Sequence, residues 1–296
     1  MRRAVGVIGL GAMGHGVAKN LINAGFEVFG CDVRKESVAA FANIGGQVCD
    51  TPAALAAQCQ VVIILVVNAA QTDMVLFGDD GAAPQLRPGS VVVGAATVAP
   101  AYAIELGKRL AKSGVGLIDS PMSGGVIGAN EGTLTLLTSG PEAAYEACND
   151  VLDAISSKVY RLGAQHGLGS KIKVINQLLV GVQIAAAAEA MALGLREGVD
   201  LELLYDVIVR SAGNSWAFAD RVPHILQGRY TPAQTALDIF VKDLGLVLEA
   251  ARASNFPLPL ASTAYQMFAT ASAAGFGNED DTAVIKTFPG ITLPGA

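Results

Sequence analysis

Charged residues are scarce in this sequence. They make up 16% of the 296 residues, the formal net charge is -6, and lysine and arginine form no cluster. Nucleic acids and anionic membrane surfaces bind to basic patches, so neither is an expected partner. Hydrophobic residues instead reach 52%, and this apolar balance indicates that part of the surface is covered in a homodimer or a homotetramer.

Cysteine and histidine are also few, and their spacing predicts no metal site. The four cysteines form no CxxC pair and the three histidines lie far apart in sequence, whereas a zinc site needs closely spaced ligands. We interpret the cysteines as small, reduced core residues of an intracellular, cytoplasmic protein. These seven residues are Cys31, Cys49, Cys59, Cys148, His15, His166 and His224.

Two segments imitate targeting or membrane signals. Arg2 and Arg3 precede an apolar run, as in a signal peptide, but regularly spaced glycines interrupt that run. A complete strand and helix pattern follows, so we interpret the segment as part of the fold. The best candidate for a membrane span, residues 174–195, includes four polar side chains, and no membrane partner is predicted.

The first segment with clear chemical meaning is Gly9-Leu10-Gly11-Ala12-Met13-Gly14. It follows a short apolar run typical of a buried parallel strand, and it opens a helical pattern. Gly9 permits a tight turn, Gly11 lets the backbone approach a pyrophosphate, and Gly14 lets the helix pack close to the strand. The N–H groups at the helix start then face the phosphates. The pattern predicts that these six residues bind a dinucleotide.

Asp32 ends the next predicted strand, 18 residues after the last of these glycines. A carboxylate at this position accepts hydrogen bonds from the adenosine ribose and repels a 2′-phosphate, so the predicted cofactor is NAD. Arg34, two residues further along the chain, is a cation and argues instead for NADP. We interpret it as an exposed loop cation, and the sequence leaves a strict preference for NAD over NADP open.

Strands and helices alternate to about residue 163. This alternation predicts an α/β fold with a Rossmann-type dinucleotide-binding domain over residues 1–163. Ligands of such sheets bind at the carboxyl ends of the parallel strands. Val67 and Asn68 end one predicted strand, residues 61–67, and Thr97 follows the next, so we expect all three to line the cofactor site.

A second polar loop follows the predicted strand that ends at Asp119. It contains Ser123, Gly124 and Gly125. A hydroxyl group and several backbone N–H groups in a small concavity suit a carboxylate. An ordinary tight turn is the alternative interpretation of the same residues.

Helical patterns alone fill the chain after residue 164. They predict helices over about 171–197, 200–210, 236–254 and 260–274, and a short one near Asp280. The loop 211–216 holds the only tryptophan, Trp216. The sequence therefore predicts an all-helical C-terminal domain over residues 164–296 that begins with one long helix.

Lys173, Asn176 and Gln177 stand at the start of that long helix. Residues three and four apart share one helix face, so the three side chains can point at one small volume. Burial can lower the pKa of a lysine, which makes it a usable proton carrier. The alternative is a lysine that extends to solvent from a helix start.

Four motifs in fixed order resemble the β-hydroxyacid dehydrogenase family, which includes 3-hydroxyisobutyrate dehydrogenase and tartronate semialdehyde reductase. They are Gly9-x-Gly11-x-x-Gly14, the segment from Asp119 to Gly125, Gly167-x-Gly169-x-x-x-Lys173 and Lys242-Asp243-Leu244. The resemblance covers nearly the whole chain. It implies an NAD-dependent oxidoreductase that acts on a small anionic hydroxy acid.

The resemblance also implies roles for individual residues. The position of Lys173 is the family's catalytic acid/base, and the loop from Ser123 to Gly125 holds the substrate carboxylate. Thr97 and Lys242 match cofactor-contacting positions. The family's substrate-binding asparagine falls on Gln177 here, directly after Asn176, so either amide is a candidate.

Further segments point within the family to enzymes that oxidise a four-carbon sugar acid at C2. They are residues 212–216, 238–245, 256–263 and 280–286. Asn214 lies in the first of them and is counted as a substrate-binding residue. Three alternatives stay open: another small hydroxy acid, such as 3-hydroxyisobutyrate or tartronate semialdehyde, an imine substrate, and a non-catalytic NAD-binding protein.

Overall fold

The computed structural model describes residues 3–295. Three residues lie outside the described part of the chain. They are Met1 and Ala296, which end the two predicted domains, and Arg2 of the signal-like segment. The chain forms two compact units. The first extends to Lys173 and the second begins at Val174.

The first unit is built on a parallel sheet of six strands in the order β3-β2-β1-β4-β5-β6. Its central strands are buried on both faces; all four residues of Val61–Ile64, for example, are buried. Such strands are uniformly apolar, which is why the sequence shows them clearly. The strands are β1 (Ala4–Ile8), β2 (Glu27–Cys31), β3 (Gln47–Val48), β4 (Val61–Ile64), β5 (Val91–Gly94) and β6 (Gly116–Asp119).

Helices connect these strands, and two groups of buried apolar residues pack on the sheet. The alternation is that of a Rossmann-type fold, and the predicted fold class of this part is confirmed. The helices of the unit are α1 (Ala12–Asn23), α2 (Lys35–Asn43), α3 (Pro52–Ala56), α4 (Ala69–Phe77), α5 (Pro100–Ala111), α6 (Gly125–Glu131), α7 (Glu142–Glu146) and α8 (Asn149–Ala154).

A small second sheet follows the main one. It consists of β7 (Met122–Ser123), β8 (Leu134–Thr138) and β9 (Ser156–Arg161). Strand β7 pairs with β8 in antiparallel register, with Ser123 opposite Thr135, and β8 runs parallel to β9. An isolated bridge between Asp119 and Ser139 joins the end of β6 to the end of β8. The polar loop after Asp119 is therefore fixed to both sheets.

Two helices of the first unit were not predicted. Helix α4 begins after Asn68, whose Oδ1 accepts a hydrogen bond from the backbone N–H of Gln71 at 2.9 Å; the predicted strand accordingly ends at Ile64, not at Val67. Helix α6 begins with Gly125 in the loop predicted to be irregular, and glycine has low helix propensity. It is supported from α1, where Asn20 donates from Nδ2 to the Ala129 carbonyl at 2.7 Å.

The second unit consists of helices around one apolar core, as predicted. Phe240 and Phe268 stack in that core with their ring centroids 5.3 Å apart. The helices are the second part of α9 (Leu168–Arg196), α10 (Leu201–Val209), α11 (Trp216–Leu226), α12 (Leu237–Ala253) and α13 (Pro259–Ala271). A π-helical turn, Ser272–Phe276, and a 3-10 helix, Asp281–Thr287, end the unit.

Helix α11 is the third helix that was not predicted. The sequence places a loop at 211–216 and a proline at position 223, which disfavours a helix. In the structure Ser215 caps the helix, because its Oγ accepts from the Phe218 N–H at 3.0 Å. The burial of Phe218 and Val222 in the core then offsets the cost of Pro223.

Helix α9 is 29 residues long and apolar. By length and composition it is a candidate membrane span, and 44% of its most apolar window is buried inside the protein. A core helix of a soluble protein has the same properties, and the structure is consistent with a soluble protein. Two large apolar side chains of α9, Ile175 and Leu179, are nevertheless each 54% exposed.

A buried group of charges joins helix α11 to the 3-10 helix. His224 Nδ1 lies 3.0 Å from Asp280 Oδ1. Arg221 Nε donates to Asp281 Oδ2 at 3.1 Å, and Asp281 is fully buried. Burial raises the pKa of Asp281 to about 7, against the opposing effect of the Arg221 charge. Hydrogen bonds from His224 and Thr282 outweigh burial at Asp280 and lower its pKa to about 2.

We expect the Asp281→Asn variant to have a flatter dependence of stability on pH. Because the folded-state pKa of Asp281 is raised, its favourable contribution is complete below about pH 4 and is lost as the pH rises through 7. The variant loses the charged contact to Arg221 at every pH, but its stability lacks this decline between about pH 4 and 7. Thermal unfolding at pH 4.5, 6 and 7.5 measures the difference, with Asp153→Asn on an exposed carboxylate as control. Parallel curves for wild type and Asp281→Asn would contradict the assignment.

Candidate active site

The glycine-rich turn lies between β1 and α1. Gly9 has a positive φ of 93°, a conformation that only glycine adopts without strain. A Cβ atom on Gly14 would overlap the Gly9 carbonyl oxygen, so the close approach of helix and strand also requires glycine. Gly11 is the N-cap of α1, and the first turn contains no acidic residue. Backbone N–H groups at this helix start thus suit a pyrophosphate.

Asp32 lies beside this turn. Its Oδ2 accepts from the Leu10 N–H at 2.7 Å, and its Oδ1 accepts from the Arg34 N–H at 2.8 Å. Burial raises the pKa of this carboxyl, but the two backbone hydrogen bonds and the Arg34 charge outweigh it, and the net shift is downward. Asp32 is therefore an ionised acceptor in a fixed position, as a ribose-binding residue requires.

Arg34 is more than the exposed loop cation that we expected. Its side chain is 59% exposed. Its Nε nevertheless lies 3.4 Å from Asp32 Oδ1, and its Nη2 lies 2.8 Å from the position that a Cβ atom on Gly11 would take. The guanidinium group therefore lies over Gly11.

The other predicted cofactor residues of the first unit follow the carboxyl ends of β4 and β5. Strand register places Ile8, Ile64, Gly94 and Asp119 at one edge of the sheet. The Val67 N–H donates to Gln71 Oε1 at 2.8 Å, which closes the turn into α4. Thr97, in the segment after β5, is half-buried. The predicted grouping of strand ends at one edge is thus present in the structure.

Asp119 holds the beginning of α9, a role that the sequence did not reveal. Its Oδ2 accepts from the N–H groups of Gly167 at 3.0 Å and Ser170 at 2.9 Å, and its Oδ1 accepts from Ser170 Oγ at 2.7 Å. Ser139 Oγ donates to it at 3.2 Å. Burial raises the pKa of Asp119 in spite of these hydrogen bonds. The carboxyl group ties the N-terminus of α9 to the edge of the sheet.

Lys173 follows Ser170 by three residues on α9. It is only 8% exposed, whereas Lys171 and Ile172 on the same turn are exposed. The structure thus favours the interpretation of Lys173 as a buried residue over that of a lysine extending to solvent. Asp119 attaches the helix turn that precedes Lys173 to the end of β6. The loop with Ser123 begins at the same strand end.

The loop with Ser123 combines a fixed residue with two unusual glycines. Ser123 is half-buried and pairs with Thr135 of β8. Gly124 and Gly125 follow with φ values of 119° and 58°. A Cβ atom on Gly125 would meet no atom within 4 Å, so open space lies over this backbone. The loop offers the predicted hydroxyl and backbone N–H groups together with room for a small anion.

A hydrogen-bonded group of polar side chains lies in the second unit. Gln177 Nε2 donates to Asp243 Oδ2 at 2.6 Å, and Gln177 Oε1 accepts from Asn176 Nδ2 at 3.1 Å. Lys242 Nζ donates to Asp243 Oδ1 at 2.6 Å. Asp243 is 2% exposed and was not predicted as a site residue. It orients both the amide of Gln177 and the Lys242 ammonium group.

Asn214, the remaining predicted substrate residue, lies in the turn before α11. Its Nδ2 donates to the Val209 carbonyl at 3.0 Å, and the residue is exposed. Within residues 3–295 no group of three or more His, Cys, Asp or Glu side chains has an arrangement that could hold a metal ion.

Two family models match the chain. Residues 4–163 match the NAD binding domain of 6-phosphogluconate dehydrogenase, and residues 167–288 match the NAD-binding domain of NADP-dependent 3-hydroxyisobutyrate dehydrogenase. L-threonate dehydrogenase of Cupriavidus necator is 62% identical over 100% of this chain and 99% of that protein. The chain belongs to the 3-hydroxyisobutyrate dehydrogenase-related β-hydroxyacid dehydrogenase family. This membership confirms the family predicted from the sequence motifs.

Solved structures of similar proteins agree with the fold. A structure described as 3-hydroxyisobutyrate dehydrogenase from Salmonella typhimurium has a TM-score of 0.92 and 47% identity, and covers 97% of this chain and 100% of its own. Psf3 in complex with NADP⁺ and 2-OPP has a TM-score of 0.88 and 26% identity, and covers 95% of this chain and 99% of its own. The protein is an oxidoreductase of this family that acts on CH–OH groups, and its cofactor is a nicotinamide dinucleotide, NAD(P).

Proposed function

We propose that the protein catalyses the NAD-dependent oxidation of L-threonate at C2 to 2-oxo-tetronate. The observation that carries the proposal is the 62% identity, over the whole chain, to an L-threonate dehydrogenase. The geometry adds a dinucleotide turn, a buried lysine and a loop with anion-binding groups in the same unit.

We assign the cofactor to the residues from Gly9 to Gly14, with Asp32 on the adenosine ribose. We also assign three further residues of the first unit to the cofactor, Val67, Asn68 and Thr97. Lys242 is assigned to it as well, because it matches a cofactor-contacting position of the family motif. A bound NAD would supply the acceptor for the hydride that leaves C2 of the substrate. The backbone of the turn would hold its pyrophosphate, and the ionised Asp32 would hold its ribose hydroxyls.

We assign the substrate carboxylate to Ser123, Gly124 and Gly125. The open space over Gly125 supports this assignment. For the substrate hydroxyls we favour Asn176 over Gln177, because both ends of the Gln177 amide already bond to Asp243 and Asn176. Asn214 is a further candidate from the resemblance.

Lys173 acts in this proposal as the general acid and base. In its neutral form it removes the proton from the C2 hydroxyl while the bond from C2 to hydrogen breaks. In the reverse direction its ammonium form protonates the developing alkoxide. A positioned proton carrier of this kind contributes about 10²–10⁴-fold to the rate.

Several broader features stay part of the proposal. We place the functional domain boundary at residue 163 and expect a homodimer or homotetramer in the cytoplasm, with a role in carbohydrate metabolism. The low charge content of 16% and the exposed Ile175 and Leu179 support a covered surface.

Substrate turnover tests the proposal directly. Purified protein is given NAD and, in parallel, L-threonate, D-threonate, D-erythronate or 3-hydroxyisobutyrate, and tartronate semialdehyde is tested with NADH in the reverse direction. We expect NADH formation with L-threonate at a kcat/KM at least tenfold above that of each other acid. Turnover of 3-hydroxyisobutyrate alone would refute the substrate assignment and keep the mechanism. NAD binding without turnover of any compound would favour a non-catalytic protein.

A further inference from the structure

Three of the four cysteines lie together in the first unit, and all four are free thiols. Cys31 and Cys59 are buried in one apolar group on the main sheet, and Cys49 packs against the same group. The pKa of each of the two buried thiols is raised to about 12, mainly by burial and in part by the nearby Cys49 thiol. Cys49 itself is only partly buried, so it is the member of the group that solvent reaches.

Sheet register places Cys31 and Cys49 side by side. Strand β2 runs parallel to β3 with Gly30 opposite Val48. The Cys49 N–H then donates to the Gly30 carbonyl at 2.9 Å, so the alignment continues to the next pair, Cys31 and Cys49. Both side chains accordingly pack in the same apolar group. Paired residues on neighbouring strands are about 4.8 Å apart, which lies within the Cα separation of about 4.4–6.8 Å that a disulfide bond spans.

Cys31 also belongs to the backbone that supports the dinucleotide turn. Its carbonyl accepts from the Gly9 N–H at 3.0 Å. Asp32 follows directly and accepts from the Leu10 N–H at 2.7 Å. A covalent bond at the Cys31 side chain would pull on the residue that positions both Gly9 and Asp32. Such a bond should therefore disturb the place where the cofactor binds.

We propose that Cys31 and Cys49 form a reversible disulfide bond under oxidising conditions and that this bond weakens the binding of the dinucleotide. The pair is a redox modification site beside the adenosine end of the cofactor site. Disulfide bonds of intracellular proteins are typically transient and redox-sensing in this way. The inference rests on the dinucleotide site of the proposed function and is independent of its hydroxy-acid substrate.

The oxidant in this step is a small disulfide, such as glutathione disulfide. The Cys49 thiolate attacks one sulfur of that molecule, forms a mixed disulfide and releases the first glutathione as a thiolate. The Cys31 thiolate then attacks the Cys49 sulfur, the bond from Cys49 to glutathione breaks, and the second glutathione leaves. The protein loses two electrons and two protons, and two glutathione thiols gain them. Because burial keeps the protein thiols protonated at neutral pH, we expect slow exchange, over hours.

Equilibration in glutathione buffers of increasing oxidation tests the proposal. Reduced protein is held in each buffer at about pH 8.5, the ordinary pKa of a thiol, until the thiol content is constant. Free thiols are then blocked with N-ethylmaleimide, and peptide mass spectrometry assigns the disulfide bond. Calorimetry gives the dissociation constant of NAD for the reduced protein, for the oxidised protein, and after treatment with dithiothreitol.

Three cysteine variants accompany wild type. Cys49→Ala removes the bond, and Cys49→Ser replaces it if alanine lowers the melting temperature. Cys59→Ala removes the alternative partner of Cys49 in the same apolar group. Cys148→Ala is the matched control, because Cys148 is buried in the other apolar group on the sheet.

We expect a disulfide bond between Cys31 and Cys49 in wild type, Cys59→Ala and Cys148→Ala. The dissociation constant of NAD should be about tenfold higher in the oxidised form, and dithiothreitol should restore the lower value. Cys49→Ala should keep the constant of the reduced form in every buffer. Because coupling between two sites is reciprocal, saturating NAD should raise the ratio of glutathione disulfide to squared glutathione at half-oxidation by the same factor.

Four results would overturn the inference. They are no disulfide bond in wild type, a bond between Cys49 and Cys59, a mixed disulfide that persists on Cys49, and an unchanged NAD constant in the oxidised protein. Reduced wild type that binds no dinucleotide would refute the cofactor site of the proposed function and with it the effect on binding. Mass spectrometry reads out the disulfide bond independently of that result.

Discussion

Replacing Lys173 by alanine should lower kcat by about 10²–10⁴-fold, because the proposed mechanism then lacks its positioned proton carrier. NAD binding should change little, since the glycine-rich turn and Asp32 lie elsewhere in the first unit. Absorbance of NADH gives kcat, and calorimetry gives the dissociation constant of NAD. Lys171→Ala is the matched control, because Lys171 lies on the same helix turn and is exposed.

Chemical rescue sharpens this test. If Lys173 carries the proton, a small primary amine in solution should restore part of the activity of Lys173→Ala. The amine would not restore activity if the variant were inactive because it was misfolded. Lys171→Ala should keep kcat within about twofold of wild type, as exposed substitutions usually do. A near-normal kcat in Lys173→Ala, or an equal loss in Lys171→Ala, would refute the catalytic assignment.

Replacing Asp119 by alanine should have a second large effect, on stability and activity together. It leaves the buried N–H groups of Gly167 and Ser170 and the Ser170 hydroxyl without their acceptor. Each unsatisfied buried group costs about 1–3 kcal/mol, so the loss of the acceptor for all three should lower the free energy of unfolding by roughly 3 kcal/mol or more. Because the start of α9 is then less fixed, kcat should fall as well.

The two variants separate positioning from chemistry. Urea unfolding should show a clear loss for Asp119→Ala and a much smaller one for Lys173→Ala, whereas amine rescue should act only on the latter. Asp79→Ala, on an exposed loop carboxylate, is the control for the removal of a charge. Unchanged stability of Asp119→Ala would show that the hydrogen bonds to Gly167 and Ser170 do not anchor the helix.

The parts of the fold that depend on neighbours in sequence could be predicted. The strand, glycine turn, helix and second strand up to Asp32 follow one another directly, and each leaves a local pattern in the sequence. Helix α6 could not be predicted in this way. Its glycines disfavour a helix, and the contact that supports it comes from Asn20, 109 residues away from Ala129.

The same distinction applies to the site. Lys173 and Ser123 were found from motifs, but the anchor between their segments pairs Asp119 with Ser170, 51 residues later in the chain. The bond between Gln177 and Asp243 spans 66 residues. Arg34 is close to Asp32 in sequence, yet its position over Gly11 depends on a side-chain conformation that no spacing rule contains.

The two left-handed glycines after Ser123 also restrict how the protein can evolve. Gly124 and Gly125 have φ values of 119° and 58°, so any side chain there would strain the backbone. Selection for a folded protein should therefore remove substitutions at these positions, whatever their effect on substrate choice. Variation is freer at half-buried side chains such as Asn176. In the proposed site these glycines bind the carboxylate of the substrate. A descendant of this protein should therefore change its preference for the rest of the substrate more readily than its requirement for a carboxylate.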